Sequence, residues 1–516
     1  MNRRFVGVIA AAFVAACGSL SQSAVGHPER LLSHPERLLS HPERSEGSAL
    51  HAVPLHARTT DTIIAKMIEE GTQYSHVDAD LEYLLDVIGP RLTGSPEMKR
   101  ANEWTQQKFR EYGIDRADLE PWKFGVGWTR GPMSIRMTAP QERELLGVSW
   151  AWAPGTNGPL AGDVVFMDAR TESDWNKRFR GKLSGKWVMV GPASIQINPD
   201  GPPLAHADSL RLDSLRKANQ PHTDEEREFA QYRDTFLWHE KLNGLIRDGG
   251  KELGLFTMSG TPEAVLPFPQ IVISNDDYSQ FQRLIRRGER IAIEVDIKNT
   301  VGRDALTQYN TVAEIRGTDK PNEVVILGAH LDSWDLATGG TDNGTGAIAV
   351  LEAARILAAS GAKPSRTIRF VLFSGEEQGL LGSQAYVSAH KKEMDKIQAV
   401  LVLDNGTGRI TGMALQGRDE LRDMWLQLFE PLRELGPLGV HSAMKTGTDH
   451  LSFQVRGVPS FNYDQLTRGY NHTHHSQIDD YNHTVPSDIA QAATIMAVNA
   501  WQLANLPQLL PRGPKQ

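Results

Sequence analysis

VVILGAH (324–330), IRFVLFSGEE (368–377) and AVLVLD (399–404) are the three stretches that decide the fold of this chain. Each is a short run of β-branched and other apolar residues that gives way to glycine or polar residues. Runs of this length, alternating with helical patterns, indicate strands buried on both faces of a parallel or mixed sheet. The sequence therefore predicts an α/β fold, with a mixed, mostly parallel sheet flanked by helices.

Nitrogen and oxygen donors stand at the ends of these runs and in the segments that follow them. Ligands of α/β sheets collect just outside the carboxyl ends of the strands. Donors of this kind suit a pair of divalent metal ions, with zinc as the leading candidate. The donor positions, in chain order, are His330, Asp342, Glu377, Asp404 and His475.

Taken singly, each donor also has an ordinary structural explanation. His330 fits a surface loop, because single loop histidines are common. Asp342 precedes the helical pattern of residues 345–357 and is a natural helix cap. Asp404 opens an Asn-Gly turn, which is another frequent place for an aspartate. Only the combination of donors at the ends of three predicted strands favours a metal site.

The adjacent glutamates Glu376 and Glu377 extend this prediction from binding to catalysis. Neighbouring side chains at a strand end point in different directions, so one glutamate can bind a metal while the other acts as a general base. Asp332, two residues after His330, is placed to orient the imidazole through its second ring nitrogen. The last ligand is expected from the histidines near the C-terminus, which are His472, His474, His475 and His483.

The composition is that of an ordinary globular protein. The chain has 516 residues, of which 40% are hydrophobic and 23% charged, which is long enough for two or more cores. Its net charge of −8 and the lack of a basic stripe argue against a nucleic-acid partner.

The N-terminus predicts export. Arg3 and Arg4 precede a short apolar stretch from Phe5 to Ala16, which is typical of a signal peptide, and we assign residues 1–24 to it. Cys17 follows small residues in a spacing that resembles a bacterial lipoprotein processing site, whereas ordinary cleavage near Ala24 would remove it. The expected location is periplasmic or extracellular, with membrane contact only through a lipid anchor at Cys17. A single cysteine allows no disulfide within the chain.

The rest of the chain divides by composition into four further segments. Residues 25–59 are predicted to be a low-complexity linker. Within them, residues 27–44 repeat HPERLLS, and the proline in every repeat forbids a continuous helix. Residues 60–150 form the first part of a catalytic domain, in which Ser95 is expected to cap a helix that carries Pro96 in its first turn. Residues 151–300 are a β-rich insert, and residues 301–510 complete the catalytic domain.

The insert is predicted from short apolar runs interrupted by one charged helical stretch. The helical stretch extends from about Asp208 to Asp248. The strand-like runs are GDVVFM (162–167), GKWVMV (185–190), LGLFTM (253–258), PQIVIS (269–274) and RIAIEVDI (290–297).

Several motifs, in a fixed order, resemble those of the co-catalytic zinc exopeptidase family, which includes bacterial leucyl aminopeptidase-like enzymes and the carboxypeptidase Q type. The resemblance covers residues 60–505, and residues 88–113 are similar to the start of that catalytic domain. The insert resembles a protease-associated domain, which members of the family often carry there. The motifs are GAHLDSWD (328–335), GGTDNGTGAIAVLEAARIL (339–357), FVLFSGEEQGLLGSQAYV (370–387), LDNGTG (403–408), GTDHLSFQVRGVPSFNYD (447–464) and HHSQIDD (474–480).

The resemblance implies a role for each site residue. His330 and Asp404 would hold one zinc, Glu377 and His475 the other, and Asp342 would bridge the two. Glu376 would be the general base and Asp332 would orient His330. His475 is preferred to His474 because the family has an aspartate four residues after the ligand, where this chain has Asp479. The following Asp480 departs from the threonine that family members often have there.

The predicted activity is hydrolysis of short peptides by a metal-activated water, with two Zn²⁺ per chain. Whether the enzyme is an aminopeptidase or a carboxypeptidase Q-like dipeptidase is left open, as is a homodimer. Lys445 and Arg468 are candidates to hold a substrate carboxylate, and Asp464 to hold an amine, although each is also a plausible solvated loop charge.

Two other functions fit the same fold. A glutaminyl cyclase-like acyltransferase would bind a single zinc, but every ligand position of the two-metal pattern is filled here. A non-catalytic binding protein would be expected to lose ligands or the base, and this chain retains both.

Overall fold

The computed structural model describes residues 59–114, 116–195, 205–262, 267–436 and 438–514. The predicted signal peptide with Cys17 and nearly all of the repeat-containing linker lie outside these residues. Among the described residues, no helix combines the length and the apolar character needed to cross a membrane.

Sixteen strands are formed by the described residues. They are β1 (Arg116–Thr129), β2 (Met133–Ala139), β3 (Arg143–Glu144), β4 (Gly147–Ser149), β5 (Leu160–Met167), β6 (Trp187–Val190), β7 (Gly244–Asp248), β8 (Gln270–Ile273), β9 (Ala292–Ile297), β10 (Thr300–Ile315), β11 (Lys320–His330), β12 (Arg366–Phe373), β13 (Ile397–Val402), β14 (Ile410–Ala414), β15 (Gly439–His441) and β16 (Ser460–Gln465).

The α-helices within the described residues vary from one turn to five. They are α1 (Thr59–Gln73), α2 (Val77–Glu82), α3 (Pro96–Glu111), α4 (Glu172–Arg178), α5 (His206–Asn219), α6 (Asp224–Trp238), α7 (Asn275–Arg286), α8 (Thr345–Ala359), α9 (Leu381–Ala389), α10 (Arg422–Phe429), α11 (His450–Gln454), α12 (Tyr470–Thr473) and α13 (Pro486–Ala504). Short helical turns lie at Tyr83–Ile88, Gly340–Gly344, Met394–Lys396, Asp419–Leu421, Glu430–Leu435 and Tyr481–His483.

The first sheet has the strand order β1-β10-β12-β11-β13-β16-β14-β15. Its centre, β12-β11-β13-β16, is parallel, and antiparallel pairs occur on either side. Every residue of β12 and β13 is buried, as expected for central strands covered on both faces. Helices α8 and α13 pack together against β11 and β12, and residues of α9 and α11 share a core with the same strands. This arrangement confirms the predicted mixed α/β sheet flanked by helices.

The helix after Gly94 begins as the sequence predicts. The Ser95 side chain accepts a hydrogen bond from the Met98 amide, and Pro96 occupies the first turn. This cap fixes the start of α3, which packs on the edge strand β1 and on its neighbour β10.

The second sheet has the order β3-β2-β9-β5-β6-β7-β8-β4, with β5 to β8 parallel to one another. Its first strand, β2, begins at Met133, ahead of the boundary predicted at residue 151. β1 and β10 belong to the first sheet, so the chain leaves and returns to that sheet on either side of the second one. The exact domain limits stay a prediction.

Two local predictions in the insert are wrong. The charged stretch ends as a helix at Trp238. Residues 244–248 form β7, because their backbone pairs with both β6 and β8 and their side chains Leu245 and Ile246 are buried. The run LGLFTM (253–258) is a loop rather than a strand. Leu253 and Gly254 both have positive φ, which breaks the strand path, and Leu253 is exposed.

The two sheets share a hydrophobic core beside the candidate site. Trp122 and Trp128 of β1 contact a cluster that includes Trp152, Met258 and Trp334. The insert is therefore packed against the part of the first sheet where the predicted ligands lie.

Candidate metal centre

The parallel centre of the first sheet brings the predicted strand-end residues to one edge. His330 is the last residue of β11 and pairs in register with Phe373, the last residue of β12. β13 ends at Val402, in register with Gly328, so Asp404 follows at the same edge. His330 Nε2 lies 3.4 Å from Asp404 Oδ1, which places two predicted ligands of one metal in contact.

Asp342 lies between the two predicted histidine ligands. One carboxylate oxygen, Oδ1, is 3.3 Å from His330 Nε2, and the other, Oδ2, is 3.4 Å from His475 Nε2. Asp342 does not cap α8. That role belongs to Asn343, whose Oδ1 accepts the Gly346 amide at 3.0 Å while its amide donates to the Leu403 carbonyl at 2.9 Å. Both carboxylate oxygens of Asp342 are thus directed to the histidines.

Arg91 holds the loop that carries Asp332 and Asp342. Its guanidinium is fully buried and donates to the carbonyls of Leu331 (2.6 Å), Thr338 (2.6 Å) and Gly339 (2.8 Å). Burial lowers the pKa of Arg91 to about 10, so it stays charged at neutral pH. Arg91 is a fixed cation next to a group of carboxylates, so it stabilises both the loop and the negative charge of these carboxylates.

The two glutamates follow β12 through a tight turn at Gly375. Its φ is +74°, and a Cβ there would lie 2.8 Å from the Trp122 ring, so only glycine fits. After this turn Glu377 Oε2 lies 2.9 Å from His475 Nε2. Glu376 Oε2 instead lies 4.0 Å from His330 Nε2. The two side chains diverge, as predicted for adjacent residues at a strand end.

Asp332 is connected to His330 and to the glutamates by different atoms. The Nδ1 atom of His330 is 3.0 Å from the backbone carbonyl of Asp332 and 3.7 Å from its carboxylate. The carboxylate accepts the Thr93 hydroxyl at 2.9 Å and the amides of Glu376 and Glu377 at 3.2 and 3.3 Å. Asp332 therefore fixes the tautomer of His330 through its main chain and holds the glutamate turn through its side chain.

The segment after β16 supplies His475. The rings of His474 and His475 are stacked with centroids 3.8 Å apart, and both lie near Asp342. Only His475 also contacts Glu377, and His474 Nε2 is more distant from Asp342 at 3.7 Å. Of the other candidate histidines, His472 is 3.5 Å from Glu252, and His483 pairs with Asp480 at 2.9 Å.

Several polar atoms in this group are buried without a hydrogen-bond partner. They are His330 Nε2, Asp342 Oδ2 and Glu377 Oε1. Buried polar atoms are normally satisfied, so a buried group of facing nitrogen and oxygen atoms has the chemistry expected of ligands to a cation. His330, Asp342 and Asp404 have ligand atoms close enough to hold one ion, as do Asp342, His474 and His475. The residues present fit a metal.

The electrostatics of the group lead to the same conclusion. Burial raises the pKa of Glu377 well above its usual value, and the charge of Asp342 raises it further. Burial alone would lower the pKa of His330, but the charges of Asp404 and Glu376 raise it well above its usual value. Carboxylates outnumber cations here, and a field that favours a proton on His330 also favours a metal ion. Burial lowers the pKa of His475, which keeps its imidazole neutral and able to bind a metal.

Comparison with known proteins shows which family the segment around this group resembles. The profile of Peptidase family M28 matches residues 310–500, which include every predicted ligand. The chain carries a peptidase family M28 domain. This match bears out the predicted resemblance to the co-catalytic zinc exopeptidases, and the chain is a metallopeptidase.

Relatives of the M28 domain extend the likeness to most of the chain. Carboxypeptidase Q of Xenopus laevis is 28% identical over 445 residues, which cover 84% of this chain and 86% of the relative. A Peptidase M28 precursor from Shewanella amazonensis superposes with a TM-score of 0.71 at 26% identity, covering 88% of this chain and 99% of the other. A zinc aminopeptidase from Bacillus subtilis shares the fold, with a TM-score of 0.58 at 18% identity over 83% of this chain and 94% of the other.

The M28 site includes two buried aspartates to which the sequence analysis gave no role of their own. Asp479 accepts the Thr341 amide at 2.6 Å and the Asp342 amide at 3.1 Å, so it orients the loop of Asp342. Asp449 is completely buried, and burial followed by the charges of Asp332 and Asp404 raises its pKa to about 7. The charge of Asp449 also raises the pKa of Glu376. The signal for Asp449 was its place in the GTDHLSF motif, although nothing local shows that it is buried.

The charged residues considered as holders of a substrate terminus have partners within the M28 domain. Lys445 Nζ lies 2.6 Å from Asp464 and donates to the Tyr463 carbonyl at 2.9 Å. Arg468 pairs with Asp488 at 2.8 Å. A substrate terminus would have to compete with these ion pairs.

We expect Asp332→Asn to lower kcat about 10- to 100-fold, which is typical when a group that supports metal ligands is changed. The asparagine keeps one acceptor for the glutamate amides but loses the charge that attracts both. Steady-state kinetics at saturating zinc check this, with Asp335→Asn as a control in the same loop. An unchanged kcat would show that the Asp332 carboxylate does not position the glutamates.

Proposed function

We propose that this chain is a di-zinc exopeptidase that hydrolyses short peptides, with Glu376 as the general base. The single observation that carries the proposal is the position of Asp342, whose two carboxylate oxygens face two different histidines at 3.3 and 3.4 Å. A carboxylate shared in this way is suited to bridge two cations. His330 and Asp404 would hold one ion, and Glu377 and His475 the other.

Zinc is the ion that best fits these donors. Neutral imidazoles and carboxylates are common zinc ligands, and the family resemblance points to the same metal. Bound zinc would supply Lewis-acid chemistry, since it lowers the pKa of a water molecule and polarises a peptide carbonyl.

We assign proton transfer, rather than ion binding, to Glu376. Its carboxylate lies beside His330 and away from the Glu377–His475 pair. Burial raises the pKa of Glu376 well above its usual value, and the charges of Asp404 and Asp449 add to this, so it is a stronger base than an exposed glutamate. In the proposed reaction, Glu376 takes a proton from the attacking water and delivers it to the departing amine nitrogen.

The surroundings of the site favour a small substrate. Its pocket is lined by Trp334, Ala337 and Ser476 as well as by the predicted ligands Asp342, Glu377 and His475. Trp334 packs edge-on against His475, with ring centroids 5.9 Å apart. An exposed end of a short peptide fits such a pocket better than the middle of a folded chain.

Zinc content tests the proposal directly. We expect two zinc ions per chain in the purified protein, and loss of activity after chelation with recovery on zinc addition. One zinc per chain, with cyclisation of N-terminal glutamine, would favour the acyltransferase alternative. Two zinc ions with no hydrolysis of a broad dipeptide panel would favour a binding protein.

As to which end of the peptide is recognised, we propose that the enzyme is a carboxypeptidase Q-like dipeptidase. The sequence identity of 28% to carboxypeptidase Q, compared with 18% to the Bacillus subtilis aminopeptidase that shares the fold, supports this choice. We expect both N-acetylated and C-amidated dipeptides to be poor substrates, because a dipeptidase binds the free amine and the free carboxylate of its substrate. Turnover of C-amidated dipeptides at the rate of free ones would indicate an aminopeptidase.

We also propose that the protein is exported, on the basis of the residue pattern of positions 1–24. Mass spectrometry of the mature N-terminus tests this, since it distinguishes lipidated Cys17 from cleavage near Ala24.

A further inference from the structure

A loop of the second sheet contacts the segment that carries His475. We call residues 250–258, which lie between β7 and β8, the clamp loop. Met258 donates its amide to the His475 carbonyl at 2.9 Å. The Lys251 ammonium donates to the carbonyls of Asn471 and His472, the latter at 3.3 Å. The clamp loop thus binds the backbone just before the ligand and at the ligand itself.

Gln477 completes this connection with both ends of its side-chain amide. Its Oε1 accepts the Phe256 amide at 2.9 Å, and its Nε2 donates to the Gly254 carbonyl at 2.9 Å. An amide that is satisfied as donor and as acceptor by one short loop fixes the spacing between two segments far apart in sequence.

The backbone of His475 needs support of this kind. Its φ is +58°, in the left-handed region that residues other than glycine rarely adopt. Such a conformation persists only when surrounding contacts impose it. Trp334 packs against the imidazole, and Met258, Phe256 and Trp334 belong to the same buried cluster.

The two proposed metal positions are supported differently. His330 and Asp404 stand at the ends of hydrogen-bonded central strands, which hold them without the insert. Two contacts hold the His475 segment to the Asp342 loop of the first sheet. The Thr473 hydroxyl lies 2.6 Å from that of Thr341, and the Asp479 carboxylate accepts the Thr341 amide. At His475 itself, the backbone carbonyl bonds to the clamp loop.

We infer that the clamp loop sets the occupancy of the Glu377–His475 metal position, with Lys251 and Gln477 as positioning residues. The inference rests on the proposed two-metal function. The insert is then a structural part of one metal position, and the two ions differ in how strongly each depends on it.

The test measures zinc binding by equilibrium dialysis against a competing chelator, in parallel with activity. Lys251→Met removes the donor with little change in length, and Gln477→Leu removes both amide bonds. We expect each variant to keep one zinc tightly and to bind the second at least tenfold more weakly than the wild type. Lys251→Arg, which can still donate to carbonyls, should restore most of the second affinity.

A matched control lies in the same insert. Lys186 pairs with Asp163 away from the clamp loop, so Lys186→Met should retain both zinc ions. In a His475→Ala background, Lys251→Met should not change the affinity of the remaining zinc, because the position it supports is already lost.

The outcomes separate this inference from the proposed function. A wild-type protein with fewer than two zinc ions contradicts the proposed function itself. Two ions in the wild type and unchanged affinities in both variants overturn the role of the clamp loop. Equal weakening of both ions also overturns it, since the support would then not be specific to one position. If Lys251→Met does not fold, Gln477→Leu gives the same decision.

Discussion

Replacing Glu376 by glutamine is expected to remove turnover and to leave two zinc ions bound. Glutamine has nearly the same shape but cannot accept and release a proton at neutral pH. The Glu376 side chain faces His330 without completing either proposed ligand pair, so the ligand geometry should persist. We expect kcat to fall by about 10²–10⁴-fold, the usual contribution of general acid–base catalysis.

Kinetics and metal analysis on the same sample check this expectation. Glu430→Gln, at an exposed position paired with Arg433, is a suitable control and should behave as the wild type. If the Glu376 variant keeps more than a tenth of the wild-type kcat, another group is the base. If it loses zinc, Glu376 is a ligand, and the division of roles with Glu377 is wrong.

The second large effect is expected from Asp342→Asn, which should impair both metal positions together. The aspartate presents one oxygen to His330 and the other to His475. Asparagine offers a single neutral oxygen in the same space. We expect zinc affinity to fall by more than about 100-fold, beyond the range seen when only supporting groups are changed, with activity lost in proportion.

Comparison with two further variants makes this prediction specific. Asp404→Asn should weaken one zinc and leave the second bound, because Asp404 belongs to the His330 pair alone. Asp480→Asn should retain both, since Asp480 is half-exposed and pairs with His483. An Asp342→Asn protein that binds two zinc ions with normal affinity would exclude a bridging role.

The ends of the central strands could be predicted from the sequence because their signal is local. VVILGAH and AVLVLD are apolar runs with polar ends, and a parallel sheet requires their carboxyl ends to meet at one edge. The prediction needed no knowledge of distant contacts. The same reasoning failed for LGLFTM, where positive φ at Leu253 and Gly254 overrides an apolar pattern.

The choice between the adjacent histidines depended on family resemblance, since spacing alone does not distinguish His474 from His475. In the structure, the left-handed backbone at His475 directs its ring to Glu377 at 2.9 Å. Asp449 was missed as a member of the site for a related reason. Its burial arises from packing against segments that are remote in sequence, and no local sequence pattern predicts such burial.

The sequence by itself determined the fold class and the order of the candidate donors along the chain, because periodicity and residue chemistry are local properties. Only the tertiary structure decided which atom of each donor faces which partner. It placed the Asp332 carboxylate on amides 44 and 45 residues away, and it brought the clamp loop to a ligand more than 200 residues further along. The first contact is set by the pairing of β11 with β12 and the second by how the two sheets pack, and no short stretch of sequence encodes either.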